Sequence, residues 1–201
     1  MSTISGFARI RMGKIELDGL PCFQSHGRSV EEFLMDAYAG LAVNYPKYFK
    51  MDQLSRLGFL AAHVLISKYR LTDYTPFETA VILSNANSSL DSDLKYFAAS
   101  KKASSPALFV YTLPNIVAGE ICIRHTIKGE NAFFVTPSFD AEFLFQYVSS
   151  TMSDGVTKAC IAGWVDVLRE QYDVLLYLVE EDERGLKLRH TADEIKRLYE
   201  N

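Results

Sequence analysis

The stretch Lys128–Gly155, KGENAFFVTPSFDAEFLFQYVSSTMSDG, decides how the rest of the chain is read. "NAFFVT" is a short apolar run and reads as a buried strand. Thr136, Pro137 and Ser138 interrupt it. From Ser138 to about Ser153 the residues Phe139, Ala141, Phe143, Leu144, Phe145, Tyr147, Val148 and Met152 follow one another around a helix at about 100° per residue. They leave only a thin polar strip of Glu142, Gln146 and Ser149. A helix apolar on most sides is buried on most sides. A strand, a tight turn carrying a hydroxyl and an interior helix therefore follow one another.

Outward from that segment, strand and helix patterns alternate. "ISGFARIR" alternates as a strand does, and "KIEL" continues it or pairs with it; "PCFQSHGR" reads as a loop. Ser29 with Glu32 forms a capping box for a helix from Val30 to Leu41. "NYPKYFKM" is an aromatic connector. "DQLSRLGFLAAHVLISKYRL" carries apolar residues at 54, 57, 60, 61, 64 and 65, the stripe of a long amphipathic helix. Phe77–Asn85 reads as a buried strand, "ANSSLDSDLKYFAAS" as a short helix opened by Ser and Asp, "KKASSP" as a loop, and "ALFVYTLPN" is ambiguous. A further helix is predicted from about Pro114, since proline suits a first turn. "VTKACIAGWVDV" and "YDVLLYLVEED" read as two strands, antiparallel neighbours by their proximity. Thr191 with Glu194 caps a last helix, Ala192 to Tyr199. The alternation predicts an α/β fold, layered α-β-α around a mostly parallel sheet.

The bulk composition narrows the function. The chain has 201 residues, 48% hydrophobic and 23% charged, with a net charge of −4. No overall basic field favours nucleic acid. No signal peptide and no apolar run approaching the ~20 residues of a membrane span are seen, so a cytoplasmic protein with no nucleic-acid or membrane partner is expected. Cys22, Cys122 and Cys160 lack zinc-site spacing and read as free thiols, two of them in apolar settings. "NSSLDSD" lacks the glycine and terminal Glu of a calcium loop; Ser92 and Lys95 would share a helix face without the companion motifs of a lactamase-type enzyme. No cofactor and no metal are expected.

Several runs carry a resemblance to the β-ketoacyl synthases, the condensing enzymes of fatty acid and polyketide synthesis. They are Ser105-Pro106, Asn115, Ala118-Gly119, Ile121 to Arg124, and Gly129 with Asn131. "KMDQLSRLGFLAA" resembles the family's M-D-x-x-x-R-x-x-x-x-A-A helix, and "ACIAGWVDV" the strand after its buried helix. Ordered matches run from about residue 50 to 167. The resemblance implies a thiolase-like fold, in which two similar halves pack their sheets around two central helices. It implies that this chain corresponds to the N-terminal half: one ketoacyl-synthase-like domain over residues 1–201 with a five-stranded mixed sheet, residues 168–201 forming a possible capping extension. The helix at Ser138 would be the nucleophile-bearing one.

Two departures bear on chemistry. Counted without a gap from Gly129, Thr136-Pro137-Ser138 stands where the family has Thr-Ala-Cys, so Ser138 replaces the acyl-accepting cysteine, with Thr136, Pro137 and Phe139 as its substrate-binding neighbours. Glu130 replaces a proline. The family's catalytic histidines lie in the half not matched here, and neither H-G-T nor G-H-x-x-G occurs. A cysteine at a helix start is partly ionised at neutral pH; a serine needs an adjacent base. His26, His63, His125 and His190 match no catalytic position and read as surface or capping residues. Ser138 equally suits an N-cap, and Asp140 opposes an anion beside it.

The expected function is that of a truncated ketosynthase-like protein without autonomous condensing activity. It would be an accessory subunit in fatty acid, aryl-polyene or polyketide-type biosynthesis. A serine-dependent acyltransferase or hydrolase, or a split ketosynthase completed by a partner chain, is the rival; a plain oligomeric binding module is the third. Exposing the far side of the apolar helix would forfeit ~1.5–3 kcal/mol per large side chain. A second copy, a ketosynthase-type subunit or the chain's own residues 168–201 must cover it. An acyl carrier protein is a further expected partner.

Overall fold

The computed structural model describes residues 2–27, 29–101, 106–181 and 184–201. One sheet runs through it. Its strands are β1 (Thr3–Arg11), β2 (Lys14–Leu17), β3 (Leu20–Gln24), β4 (Thr79–Asn85), β5 (Asn131–Val135), β6 (Ala159–Leu168), β7 (Gln171–Glu180) and β8 (Leu188–Arg189), ordered β3-β2-β1-β7-β6-β4-β5 with β8 beside β1. In the central five, β5, β4, β6 and β1 share one direction and β7 runs against them. This is the predicted mixed, mostly parallel sheet. Among the described residues it has eight strands rather than five, because β2, β3 and β8 extend it at β1.

"PCFQ" is thus part of an edge strand and not a loop. Pro21 is tolerated there because an edge strand has a side that needs no N–H donor, and the β2–β3 ladder shifts register beside it.

Helices α1 (Val30–Gly40), α2 (Gln53–Lys68) and α5 (Ile116–His125) cover one face; α6 (Ala141–Met152) and α7 (Ala192–Glu200) cover the other. α3 (Leu90–Ser100) and α4 (Pro106–Val110) follow β4, and a 3₁₀ turn (Pro46–Lys50) precedes α2. The "ALFVYTLPN" segment resolves into α4 and a turn. Capping explains several starts: Ser29 accepts from Glu32 N–H, Asp52 from Ser55 N–H and Thr191 from Glu194 N–H.

β7 explains the run "DVLLYLV". Val174, Leu176 and Leu178 enter the core under α2, while Leu175, Tyr177 and Val179 enter the core under α6. A strand buried on both faces reads as continuous apolar sequence. β7 is accordingly a central strand between β6 and β1, not an addition laid over α6. The cover over α6 comes from α7, whose Ile195 and Leu198 join Val148 and Met152 in one cluster.

Close approach fixes two glycines. A Cβ on Gly58 would stand 2.3 Å from Val117 Cγ2, where α2 meets α5, and one on Gly163 (φ +150°) would stand 1.9 Å from Leu175 O.

Candidate functional site

The β5–α6 turn lies where the parallel strands end. Thr136 N–H extends the ladder to Asn85 O at 2.9 Å. Asn85 is buried and exchanges hydrogen bonds with Ser88, which holds that anchor still. Thr136 Oγ1 donates to Ser138 O at 2.9 Å and closes the turn around Pro137. Pro137 and Ser138 are exposed; Phe139 is half-buried.

Phe139 is the pivot. Its ring stacks on Tyr199 of α7 (centroids 3.8 Å apart, planes 7° apart) and meets Trp164 of β6 edge-on at 6.0 Å. Tyr199 is fixed in turn by Asp173, at 2.5 Å from its hydroxyl, and by the Arg11 guanidinium over its ring.

The helix does not start at Ser138. Asp140, with extended backbone, caps it by accepting Phe143 N–H at 2.9 Å, and α6 runs from Ala141 to Met152. Ser138 therefore is neither an N-cap nor a first-turn residue. The helix-end N–H groups that would steady an anion are partly taken by a carboxylate.

Ser138, Phe139, Asp140 and Glu142 line one wall of a cleft of about 500 Å³, and Asp193, Lys196, Tyr199 and Glu200 of α7 line the other. Four carboxylates meet one ammonium, and that ammonium lies 3.7 Å from Glu200. Among the described residues no side chain bonds the Ser138 hydroxyl and no histidine lines the cleft. Thr136 closes the turn and Phe139 lines the cleft beside Ser138, and among the described residues no base stands beside the hydroxyl.

The histidines are elsewhere. His63 stacks parallel to Phe59 on α2, and His125 ends α5, both on the opposite side of the sheet. Burial pushes His125 down to about 4. His190, read from sequence as a surface or capping residue, is buried instead. Its ring packs against Phe145 at 5.2 Å and Tyr177 at 6.2 Å, and both ring nitrogens lack a hydrogen-bond partner among the described residues. Burial pushes it down to about 4, so it is neutral at pH 7. Lys95 pairs with Asp91 and Ser92 donates to Asp52, so these two do not form a nucleophile and base pair. Cys160 is buried, and its thiol is pushed well up by desolvation. Of the resemblance residues, Ser105 lies outside the described residues.

The α7 wall was not legible in the sequence. Asp193, Lys196 and Glu200 look like an ordinary solvated helix face, and they reach the turn through contacts distant in sequence: the Phe139–Tyr199 stack, across 60 residues, and the packing of Ile195 and Leu198 on α6. Among the described residues no group of three or more His, Cys, Asp or Glu side chains is placed to hold a metal, and no helix is long and apolar enough to cross a membrane.

No protein-family model matches the chain, and comparison with curated proteins gives no match. Solved structures do resemble it. It is similar to the ishigamide ketosynthase/chain length factor, with TM-score 0.64 and 16% identity over 92% of this chain and 63% of that one. A type II polyketide acyl-carrier protein in complex with its ketosynthase bound to the hexaketide, AntDE:AntF, matches with TM-score 0.63 and 12% identity over 90% of this chain and 63% of that one. The ketosynthase ApeO in complex with its chain length factor ApeC, from Xenorhabdus doucetiae, matches with TM-score 0.57 and 11% identity over 98% of this chain and 90% of that one. The chain spans 63% of the length of the first two. At these identities the likeness establishes the fold alone, which the chain shares with ketosynthase and chain length factor chains.

Proposed function

We propose that this chain is one ketosynthase-like half-domain that acts as a partner subunit without condensing activity of its own. It works beside a ketosynthase-type polypeptide in fatty acid, aryl-polyene or polyketide-type biosynthesis. The observation that carries this reading is the Ser138 turn: an exposed hydroxyl, no base beside it among the described residues, and a cleft with four carboxylates. Serine acylation requires a base to take the hydroxyl proton. Asp140 and its neighbours also raise the cost of any anion there.

Ser138 then occupies the position of the family's cysteine as an inert residue, and Thr136, Pro137 and Phe139 shape the turn rather than a reaction. Supporting this, two of the similar structures are named for ketosynthase and chain length factor, and one match is to a chain of nearly this length. A carrier protein would be served by the assembly. A phosphorylated carrier arm would meet unfavourable charge at this cleft.

The test is incubation with acyl-loaded carrier protein and with acyl-CoA, followed by intact mass, on wild type and Ser138→Ala. No adduct on either, and unchanged pathway output from Ser138→Ala, is expected. A stable acyl adduct lost in Ser138→Ala would establish the serine acyltransferase instead.

A further inference from the structure

The Ser138 turn lies past the C-terminal end of β4, on the side of α6 and α7. A second concavity lies at the other end of that strand, beside Thr79, on the side of α2 and α5. Its volume is about 300 Å³. That is the lower end of the range for small-molecule sites. Ile66 of α2, Leu71, Pro76 and Ile127 give it apolar walls.

The outer wall is tied down along its length. Residues 71–78 carry the chain from α2 to β4. The Tyr74 hydroxyl donates to the buried carboxylate of Glu180 at 2.8 Å, and Lys128 N–H donates to Pro76 O at 2.7 Å. Asp73 pairs with Arg184 at 2.7 Å, and Glu78 accepts Thr75 N–H at 2.7 Å. A wall held by four such contacts is in place before a ligand arrives.

The polar groups of the cleft are few. Arg70 stands exposed at its rim. The Arg70 carbonyl accepts from Arg184 at 3.4 Å, but its guanidinium has no partner among the described residues. His125, the last residue of α5, lines the cleft, and neither ring nitrogen is bonded among the described residues. Burial, with Arg124 and His63 close by, keeps that ring neutral at pH 7, so it offers one N–H. No carboxylate lines the cleft among the described residues; Asp73 and Glu78 of the outer wall are engaged as described. The end of α2 carries about half a negative charge, which the full charge of Arg70 outweighs.

These features select a ligand. The apolar walls take a hydrocarbon body. A single guanidinium fork takes a single carboxylate through two parallel N–H···O bonds. A phosphate monoester would bring nearly two negative charges to one cation, and an amine would meet Arg70 as a like charge.

We propose that this cleft binds a small amphiphilic carboxylate, its headgroup on Arg70 and His125 and its chain against Ile66, Leu71 and Ile127. The site lies on the opposite face of the sheet from the Ser138 turn and does not rest on the partner-subunit reading.

The experiment titrates octanoate into the full-length chain by calorimetry and follows the amide shifts of His125, Thr126 and Ile127 by NMR. Octanol, octylamine, octyl phosphate and acetate are run beside it. Wild type is compared with Arg70→Gln, with Thr72→Trp and with Lys196→Gln. Thr72 is exposed and lines the cleft, so a tryptophan there plugs it. Lys196 is the ammonium of the Ser138 cleft. Circular dichroism checks that each variant is folded. A Kd of about 0.1–1 mM is expected for octanoate. Arg70→Gln and Thr72→Trp should each weaken it about tenfold or more, and Lys196→Gln should leave it unchanged. Octanol and octylamine should bind about tenfold more weakly or worse, and acetate without detectable heat. Octanol binding as tightly as octanoate overturns the headgroup assignment. Octyl phosphate binding more tightly overturns the choice of a carboxylate. A loss confined to Lys196→Gln moves the ligand to the Ser138 cleft and overturns this site. An absence of saturable octanoate binding overturns the proposal outright.

Discussion

His190 is a buried imidazole whose two nitrogens have no partner among the described residues, and its titration can be predicted from that. Replacing it with phenylalanine keeps an aromatic ring against Phe145 and Tyr177 while removing both polar atoms. The folded pKa is pushed from 6.5 to about 4. The unfolded chain therefore binds more protons than the folded one between those values, and stability falls as pH falls through that window. Above pH 6.5 the residue contributes no pH dependence; below pH 4 both states are protonated and the loss is complete.

A fall from 6.5 to about 4 corresponds to a full loss of about 3 kcal/mol, of which about 2 kcal/mol has been lost by pH 5. For a chain of this size that is a fall of roughly 4–8 °C in Tm. Denaturant unfolding of wild type and His190→Phe at pH 7.5 and pH 5.0 measures it. His125 shifts in the same direction, so the quantity to read is the difference between the two proteins' pH slopes. The variant should be at least as stable as wild type at pH 7.5, because no buried polar atom is left unpaired. It should lose about 2 kcal/mol less on acidification. Equal slopes for the two proteins would refute the reasoning, since His190 would then titrate alike in the folded and unfolded states.

Three further outcomes are expected. Asp140→Ala removes the cap of α6 and should cost about 1 kcal/mol, whereas Ser138→Ala should stay within about 0.5 kcal/mol; the reverse order in urea unfolding would move the helix start back to Ser138. Gly163→Ala places a Cβ 1.9 Å from Leu175 O and should cost more than about 4 kcal/mol; a soluble variant with wild-type Tm would contradict the β6–β7 register. Tyr199→Ala removes the stack on Phe139 and the bond to Asp173, and should cost about 2–3 kcal/mol while raising exchange of the α7 amides; unchanged exchange would mean that α7 is held by other contacts.

Much of the fold was legible in short windows. The caps at Ser29 and Thr191, the stripe of α2 and the apolar runs of β4, β5, β6 and β7 are local signals, because capping and periodicity act within a turn or along one strand. Three features were not. Ser138 and Asp140 are both good cappers, and the choice between them goes with the seat of Phe139 on Tyr199 and Trp164. The central place of β7 depends on β1 and β6 pairing with its two edges. The inverted burial of α3, with Asp91 and Ser92 inside and Leu94 and Phe97 exposed, depends on Asp52 reaching Ser92 from 40 residues away and the Arg169 backbone reaching Asp91 from 78. By itself the sequence determined which segments are strands and helices and that an α/β sheet holds them. Only the tertiary structure decided which apolar faces are covered, which stay open and what surrounds Ser138, because those outcomes are set by contacts between side chains distant along the chain.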